Sequence, residues 1–304
     1  MKYAIGLDIG ATKIRGIVAD SDGKIFFPRE IETKPERKRA EILNDIINVV
    51  IFLKKYAEKK NLKLAGIGIG APGIIKKGKF IFGGGTLFQF KGFNIEGYIK
   101  KETGLKTLSD NDSELFTLAE SFFGAGKNYS RVAGIIWGTG IGSGFVDKKA
   151  GKAIPLEIGH LIIEPNIKNE PKCGCGARGC VENLASGKNI IRRYCAKGGK
   201  IKKAGVKEIY HSKEKAAKEV LEDAYKYLGM AIAVLIRAIK PEIVIIGGGV
   251  SNLPALAHKK LRKYILNYVS AAAASKLKIV KSKIGNFSGA LGAAMLVMFQ
   301  KTKF

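Results

Sequence analysis

Cysteine is scarce in this chain: there are four among 304 residues, and three of them fall between Cys173 and Cys180. Thiols so few and so crowded exclude a disulfide framework and suit metal binding instead. The fourth, Cys195, sits in a helix-like segment and is expected as a buried thiol. No apolar run approaches the ~18 residues of a membrane span, and the N-terminal MKYAIGLDIG enters an apolar strand rather than a signal peptide. A cytoplasmic protein with no membrane partner is expected. Acidic residues are also few, 26 Asp and Glu against 53 Lys and Arg, for a formal charge of +27. The lysines are scattered as pairs such as Lys54-Lys55, Lys76-Lys77 and Lys202-Lys203, densest from Lys34 to Arg39. A concentrated basic stripe with interleaved aromatics is missing, as is a helix-turn-helix or zinc-finger module, which argues against a specific nucleic-acid partner. The positive field still attracts anions such as nucleotides or polyphosphate. Glutamine occurs only at positions 89 and 300, and with abundant lysine this fits a heat-adapted protein.

What remains is a globular composition, 46% hydrophobic, in a chain long enough for two domains. One of only three histidines, His160, precedes the crowded thiols within Glu157–Glu182, EIGHLIIEPNIKNEPKCGCGARGCVE. One imidazole and three thiolates, from Cys173, Cys175 and Cys180, make the ligand set of a closed tetrahedral zinc site. Gly174, Gly176 and Gly179 are interleaved, letting the backbone fold tightly around an ion. A structural zinc staple flanked by two carboxylates is the expectation, with chance clustering as the alternative.

Residues 3 to 20 read as strand, glycine turn, strand, presenting Asp8, Thr12 and Lys13 around Gly10. Such a turn lets backbone N–H groups approach phosphate, while a strand-end carboxylate can hold hydrated Mg2+. A tight hairpin that needs glycine for geometry alone is the competing reading. The pattern recurs at an offset of 128, which carries Gly10 onto Gly138, Gly16 onto Gly144 and Gly23 onto Gly151. A second offset, 177, carries Gly70 of LAGIGIGAPG onto Gly247 of EIVIIGGGV. This is an internal duplication in outline, and two α/β units with a cleft between them are expected. Helical periodicity marks residues 39 to 60, 113 to 123, 212 to 240, 254 to 269 and 288 to 298. The apolar MAIAVLIRAI before Pro241 is core or an oligomer interface.

Two stretches stay open on residues alone. GGGTLFQFKGFN, from Gly83 to Asn94, either lines a substrate cleft or is a surface connection with buried phenylalanines. Asn111-Asp112, between a strand and a helix, reads as a helix N-cap. In a chain with phosphate-type turns, the same carboxylate could accept the proton of a sugar hydroxyl attacking phosphorus.

Assembled, these motifs resemble the ROK family of sugar kinases and sugar-responsive repressors, within the actin-like, ribonuclease-H-like ATPase superfamily. The resemblance rests on DIGATKI (8 to 14), APG (71 to 73), ND (111 to 112), GTGIGSG (138 to 144), EIGH (157 to 160) with CGCGARGC (173 to 180), and GGGV (247 to 250) with GALGAA (289 to 294). It implies an α/β fold of two ribonuclease-H-like domains with the active site in the cleft between them. The smaller domain would span 1 to 112 plus about 289 to 304, and the larger, 113 to 288, would carry the zinc insertion.

The resemblance further implies ATP-dependent phosphorylation of a hexose at its 6-hydroxyl, with glucose the leading sugar. Asp112 would be the general base. Asn111, Glu157, His160 and Glu182 would bind the sugar, His160 also joining Cys173, Cys175 and Cys180 on structural Zn2+. Asp8 with Mg2+, Gly10, Thr12, Lys13 and the Gly138, Thr139, Gly140 turn would hold phosphate, and Gly247, Gly248 and Gly249 the adenosine side. A homodimer or homotetramer is expected.

Departures from the family pattern are Ala11 in place of the usual second glycine and a loop at 83 to 94 without the Asn-Leu-x-x-Trp of family glucokinases. N-acetylmannosamine, N-acetylglucosamine, mannose and fructose therefore remain alternative acceptors, and polyphosphate an alternative donor. The rival of another class is a sugar-responsive repressor. It is disfavoured because the first phosphate motif begins at Asp8, which leaves no room ahead of it for a DNA-binding domain.

Overall fold

The structure, a computed structural model, describes residues 1–82, 87–168 and 170–299. These divide into two compact units, one drawn from the described residues of 1–130, 144–155 and 283–299, the other from those of 131–143 and 156–282.

In the first unit β1 (Tyr3–Ile9), β2 (Lys13–Asp20) and β3 (Ile25–Glu32) run as an antiparallel meander. Helix α1 (Arg39–Lys59) then crosses to β4 (Leu64–Ala71), which pairs parallel with β1. The α1 sequence is amphipathic: Ile42, Leu43, Ile46, Val49, Val50, Leu53 and Ala57 are buried, and the Glu41 carboxylate accepts from the Lys38 N–H at the helix start. A two-stranded ribbon of β5 (Ile74–Lys76) and β6 (Lys79–Phe82) follows. Next comes α2 (Ile95–Thr103), capped by Asn94 and ended by Gly104 in the left-handed region. Strand β7 (Thr107–Asn111) completes the sheet order β3-β2-β1-β4-β7 and runs directly into α3 (Asp112–Phe122).

Eight of the first twelve residues of the loop beginning at Gly83 are described, those from Leu87 on; residues 83–86 lie outside the described residues. Leu87 and Phe90 are fully buried with Phe80, while Phe88 is exposed.

The second sheet has the order β10-β9-β8-β11-β12, from β8 (Arg131–Trp137), β9 (Ile141–Asp147), β10 (Lys152–Leu156), β11 (Ile243–Gly247) and β12 (Lys278–Lys281). The helices of the second unit are α4 (Val181–Ala185), α5 (Gly187–Ala196), α6 (Val206–His211), α7 (Lys215–Ile239), α8 (Ala255–Asn267) and α9 (Ala271–Lys276). The apolar half of α7 is core: Ala231, Ile232, Ala233, Leu235 and Ile236 are buried, leaving Val234 exposed. The helix stops at Lys240 in the left-handed region, before Pro241.

Both sheets repeat one plan, a meander followed by parallel strands, so the expected α/β class holds. The two sequence offsets describe its register. Asp8 pairs with Gly70 between β1 and β4, and Ile136 pairs with Gly247 between β8 and β11.

Helix α10 (Ser288–Phe299) returns to the first unit and lies on β1, β4 and α3. It is buried on every side from Ser288 to Met298, as its all-round apolar sequence requires. Its backbone sits so close to β4 that a Cβ on Gly68 would lie 1.7 Å from the Ala293 carbonyl oxygen, so only glycine fits.

Candidate functional site

In the first unit the residues expected at a phosphate turn lie where β1 turns into β2. Gly10 N–H donates to the Lys13 carbonyl at 2.9 Å and closes the turn. Thr33, fully buried just past β3, clamps it from the side: its hydroxyl donates to the Gly10 carbonyl at 2.8 Å and its N–H to the Thr12 carbonyl at 3.0 Å. Lys13 does not stand alone. Its ammonium is 3.1 Å from Glu30, and the Arg15 Nε donates to the other oxygen of the same carboxylate at 2.7 Å. Burial alone would raise the Glu30 carboxyl, but hydrogen bonds from Lys13 and Arg15 outweigh it and hold it below the ordinary value.

Asp8 lies beside this network, with Arg15 Nη1 3.9 Å from its carboxylate. Burial first, and then the negative charge of Asp112, raise its pKa to about 7, against the pull of Arg15. Two carboxylates from β1 and the start of α3 are thus brought together. Crowding of this kind invites a cation, and carboxylate oxygens suit Mg2+.

Asn111 is the N-cap of α3, as the bland reading of the Asn-Asp pair has it. Its Oδ1 accepts from the N–H groups of Ser113 and Glu114, and its Nδ2 donates to the Gly73 carbonyl at 3.0 Å. The APG turn and the Asn-Asp pair are therefore tied to each other, and Asp112 is held as the first residue of the helix.

In the second unit the Gly138–Gly140 turn is closed by Gly138 N–H donating to the Gly140 carbonyl at 3.0 Å. The Gly247–Gly249 turn ends β11 beside it: a Cβ on Gly138 would lie 3.8 Å from the Gly249 nitrogen. Glu182, on α4, accepts from the Ile141 N–H at 3.0 Å.

The sequence-predicted metal ligands also come together. One ligand atom from each of His160, Cys173, Cys175 and Cys180 lies within 4.8 Å of all the others. His160 Nδ1 is 3.4 Å from the Cys173 sulfur, and the Cys175 and Cys180 sulfurs are 3.6 Å apart. Sulfurs about 2.3 Å from a shared tetrahedral ion would be separated by roughly 3.8 Å, so the spacing fits zinc. The thiols share their protons unequally: burial alone would raise Cys175, but hydrogen bonds from the Ala177 N–H and then from the Cys180 and Cys173 thiols outweigh it and hold Cys175 below its ordinary value. Burial first, then the neighbouring thiols, push Cys180 up to about 12. The other ring nitrogen of His160, Nε2, faces Glu157 at 3.8 Å. Glu157 is otherwise well exposed, with 61% of its side chain accessible.

Cys195 corrects an expectation: it is exposed on α5, which turns Ile190 and Tyr194 to the core instead. Several residues at the sites of the two units belong to no motif that the sequence displays. Thr33, Glu30 and Arg15 are among them. So is Glu170, whose buried carboxylate takes Arg192 and Arg193 while its carbonyl takes Arg178 from the knuckle.

Comparison with known proteins adds the lineage. The ROK family pattern matches residues 4–300. The chain is 30% identical to a glucokinase of Thermotoga maritima, with 96% of each chain covered. It is 25% identical to a xylose repressor of Bacillus subtilis, covering 97% of this chain and 77% of that one. Among solved structures, a ROK family glucokinase of Streptomyces griseus in complex with glucose and AMPPNP superimposes with a TM-score of 0.82 at 25% identity, over 97% of this chain and 98% of that one.

Proposed function

The chain belongs to the ROK family, and from that premise we propose that it is a cytoplasmic kinase transferring phosphate from ATP with Mg2+ to the 6-hydroxyl of a hexose, glucose first. The observation that carries the reading is the pair of carboxylates, Asp8 at the phosphate turn and Asp112 at the start of α3, close enough that one charge perturbs the other.

Asp112 takes the proton of the sugar hydroxyl as it attacks phosphorus, the role of a positioned base in a reaction dominated by orientation and charge. Its place as the first residue of α3 keeps the carboxylate at the positive end of the helix dipole. Asn111 keeps one amide hydrogen beyond its cap and its bond to Gly73, and this serves a neighbouring hydroxyl. Glu157, His160 and Glu182 accept and donate to the remaining hydroxyls. On the phosphate side Asp8 would hold Mg2+. Thr12, Lys13 and the Gly10 and Gly138–Gly140 backbones meet phosphate oxygens, and Gly247–Gly249 the adenosine.

The knuckle of His160, Cys173, Cys175 and Cys180 would hold Zn2+, and four protein ligands leave no open position, so its contribution is to fix direction and shape. His160 gives the knuckle Nδ1 and leaves Nε2 toward Glu157, which allows one ring to serve both metal and sugar.

The test is a coupled assay of ADP release with glucose, mannose, fructose, N-acetylglucosamine and N-acetylmannosamine. Turnover with glucose is expected; no turnover with any of them would overturn the reading. Repeating the assay with polyphosphate in place of ATP identifies the donor.

A further inference from the structure

Four hydrogen bonds clasp the α4–α5 elbow to the 137–141 turn of the second unit. The Glu182 carboxylate accepts from Ile141 N–H at 3.0 Å, and Trp137 Nε1 donates to the Ala185 carbonyl at 2.7 Å. Gly187 N–H donates to the Gly138 carbonyl at 2.8 Å and Lys188 N–H to that of Thr139 at 3.3 Å. The turn thus spends its carbonyls on the elbow, so the elbow's position decides where the turn's own amides point.

The elbow in turn has little freedom. Asn189 Nδ2 braces it from inside, donating to the Glu182 carbonyl at 2.9 Å and the Ser186 hydroxyl at 3.0 Å. At its start Cys180, a buried member of the metal-binding cluster, immediately precedes α4 and pairs with Ile162, while Val181 N–H donates to the Leu161 carbonyl at 3.1 Å. Only Val181 stands between that cysteine and Glu182. The contact at the far end is equally tight: a Cβ on Gly140 would lie 2.8 Å from the Glu182 Oε2, so the carboxylate fills the space a larger residue would need.

We propose that Glu182 is a positioning residue for the 137–141 turn, through which occupancy of the Cys/His knuckle sets affinity for the nucleotide phosphates as well as for sugar. The proposal rests on the reading of that turn as a phosphate site. Its physical basis is a shared carboxylate: Oε2 takes the turn amide and Oε1 is the oxygen that remains for a sugar hydroxyl. Ordering the group on one side lowers the cost of using it on the other, so sugar and nucleotide bind with positive coupling.

Trp137 is the single tryptophan of the chain and is buried in this clasp, so its emission reports the elbow directly. The experiment compares metal-loaded protein, metal-stripped protein, Glu182→Gln and Glu182→Ala, each first without sugar and then in a separate calorimetric titration with glucose. It measures Trp137 emission, hydrogen exchange over residues 137–141 and MgADP affinity by calorimetry. Stripping the metal and Glu182→Ala are each expected to shift the emission, speed exchange and weaken MgADP by roughly fivefold or more. Glu182→Gln keeps an oxygen that can accept from Ile141 N–H, and is expected to retain MgADP affinity while losing affinity for sugar.

Unchanged exchange and MgADP affinity in folded Glu182→Ala would overturn the proposal, and that variant decides the matter even if stripping the metal unfolds the chain. If metal-loaded wild type binds neither sugar nor MgADP, the kinase reading fails by itself. Exchange over 137–141 in Glu182→Ala still decides whether Glu182 positions the turn.

Discussion

The charge of Asp112 raises the pKa of Asp8, adding to the effect of burial and bringing it from 3.8 to about 7. A carboxylate poised there is half-committed to a proton near neutrality, and a divalent cation would displace that proton. The folded chain therefore holds this proton more tightly than the unfolded chain, and the Asp8 contribution to stability falls as pH rises from about 4 to about 7.

Asp8→Asn removes that liability. The variant is expected to melt above wild type at about pH 8, with the gap closing toward about pH 4, where wild-type Asp8 is protonated when folded. Melting curves in metal-free buffer check it. A gap independent of pH would show that Asp8 is not the group responsible.

Asp112→Asn is expected to lower kcat by about 10^2- to 10^4-fold, the range of a lost general base. The fold should survive, because Asn111 supplies the cap of α3 through its own side chain. Relief of the repulsion on Asp8 should, if anything, raise Tm. Normal turnover in this variant would remove Asp112 from the role of base.

Much of this arrangement was legible in the sequence, and the reason is register. Glycines at the strand ends recur at fixed offsets because each marks a place where a backbone turns, and both sheets pair those strands alike, Asp8 with Gly70 and Ile136 with Gly247. The Cys/His cluster was legible because its ligands are close in sequence. Glu30 and Arg15 were not. They sit on β2 and β3, the latter a largely exposed edge strand interrupted by Pro28, where polar residues read as solvated surface. Glu182 was visible as a carboxylate near the knuckle, but its bond to Ile141 spans 41 residues and follows from packing alone. The exposure of Cys195 does not show in the sequence, because a helical segment does not reveal which of its faces meets the core when apolar residues flank both.

Glu30→Gln tests the first network. Loss of the negative charge between Lys13 and Arg15 leaves both cations facing the phosphate turn, so KM for ATP is expected to fall roughly two- to fivefold with kcat little changed. Steady-state kinetics at low ionic strength give the sharpest reading, since added salt should shrink the difference. A rise in KM would mean that Glu30 orients Lys13 rather than competing for it.

Cys175→Ser should lower Tm by roughly 5 °C or more, because a metal site that forms only in the folded chain contributes its binding free energy to folding. Zinc content by elemental analysis should fall in parallel, and sugar affinity with it, since His160 would lose the partner that fixes its ring. Full zinc content in the variant would exclude Cys175 as a ligand.

Glu120 tests the core rather than the site. It is fully buried on α3 and accepts from the N–H groups of Ala125, Lys283 and Ile284 and from the Ser288 hydroxyl. Glu120→Ala strands these donors and is expected to cost about 3–5 kcal/mol in denaturant unfolding. A loss under about 1 kcal/mol would mean that water replaces the carboxylate.

Helix α10 connects that stability to the order in which the chain is made. The first unit begins at the N-terminal strand, yet α10, which covers β1 and β4, comes from residues 288–299. During synthesis the whole of the second unit leaves the ribosome before that cover exists. The earliest strands to appear must therefore wait longest for their partner, with Ala4, Gly6 and Gly68 uncovered, whereas the unit carrying the knuckle can close as soon as Ser282 is out.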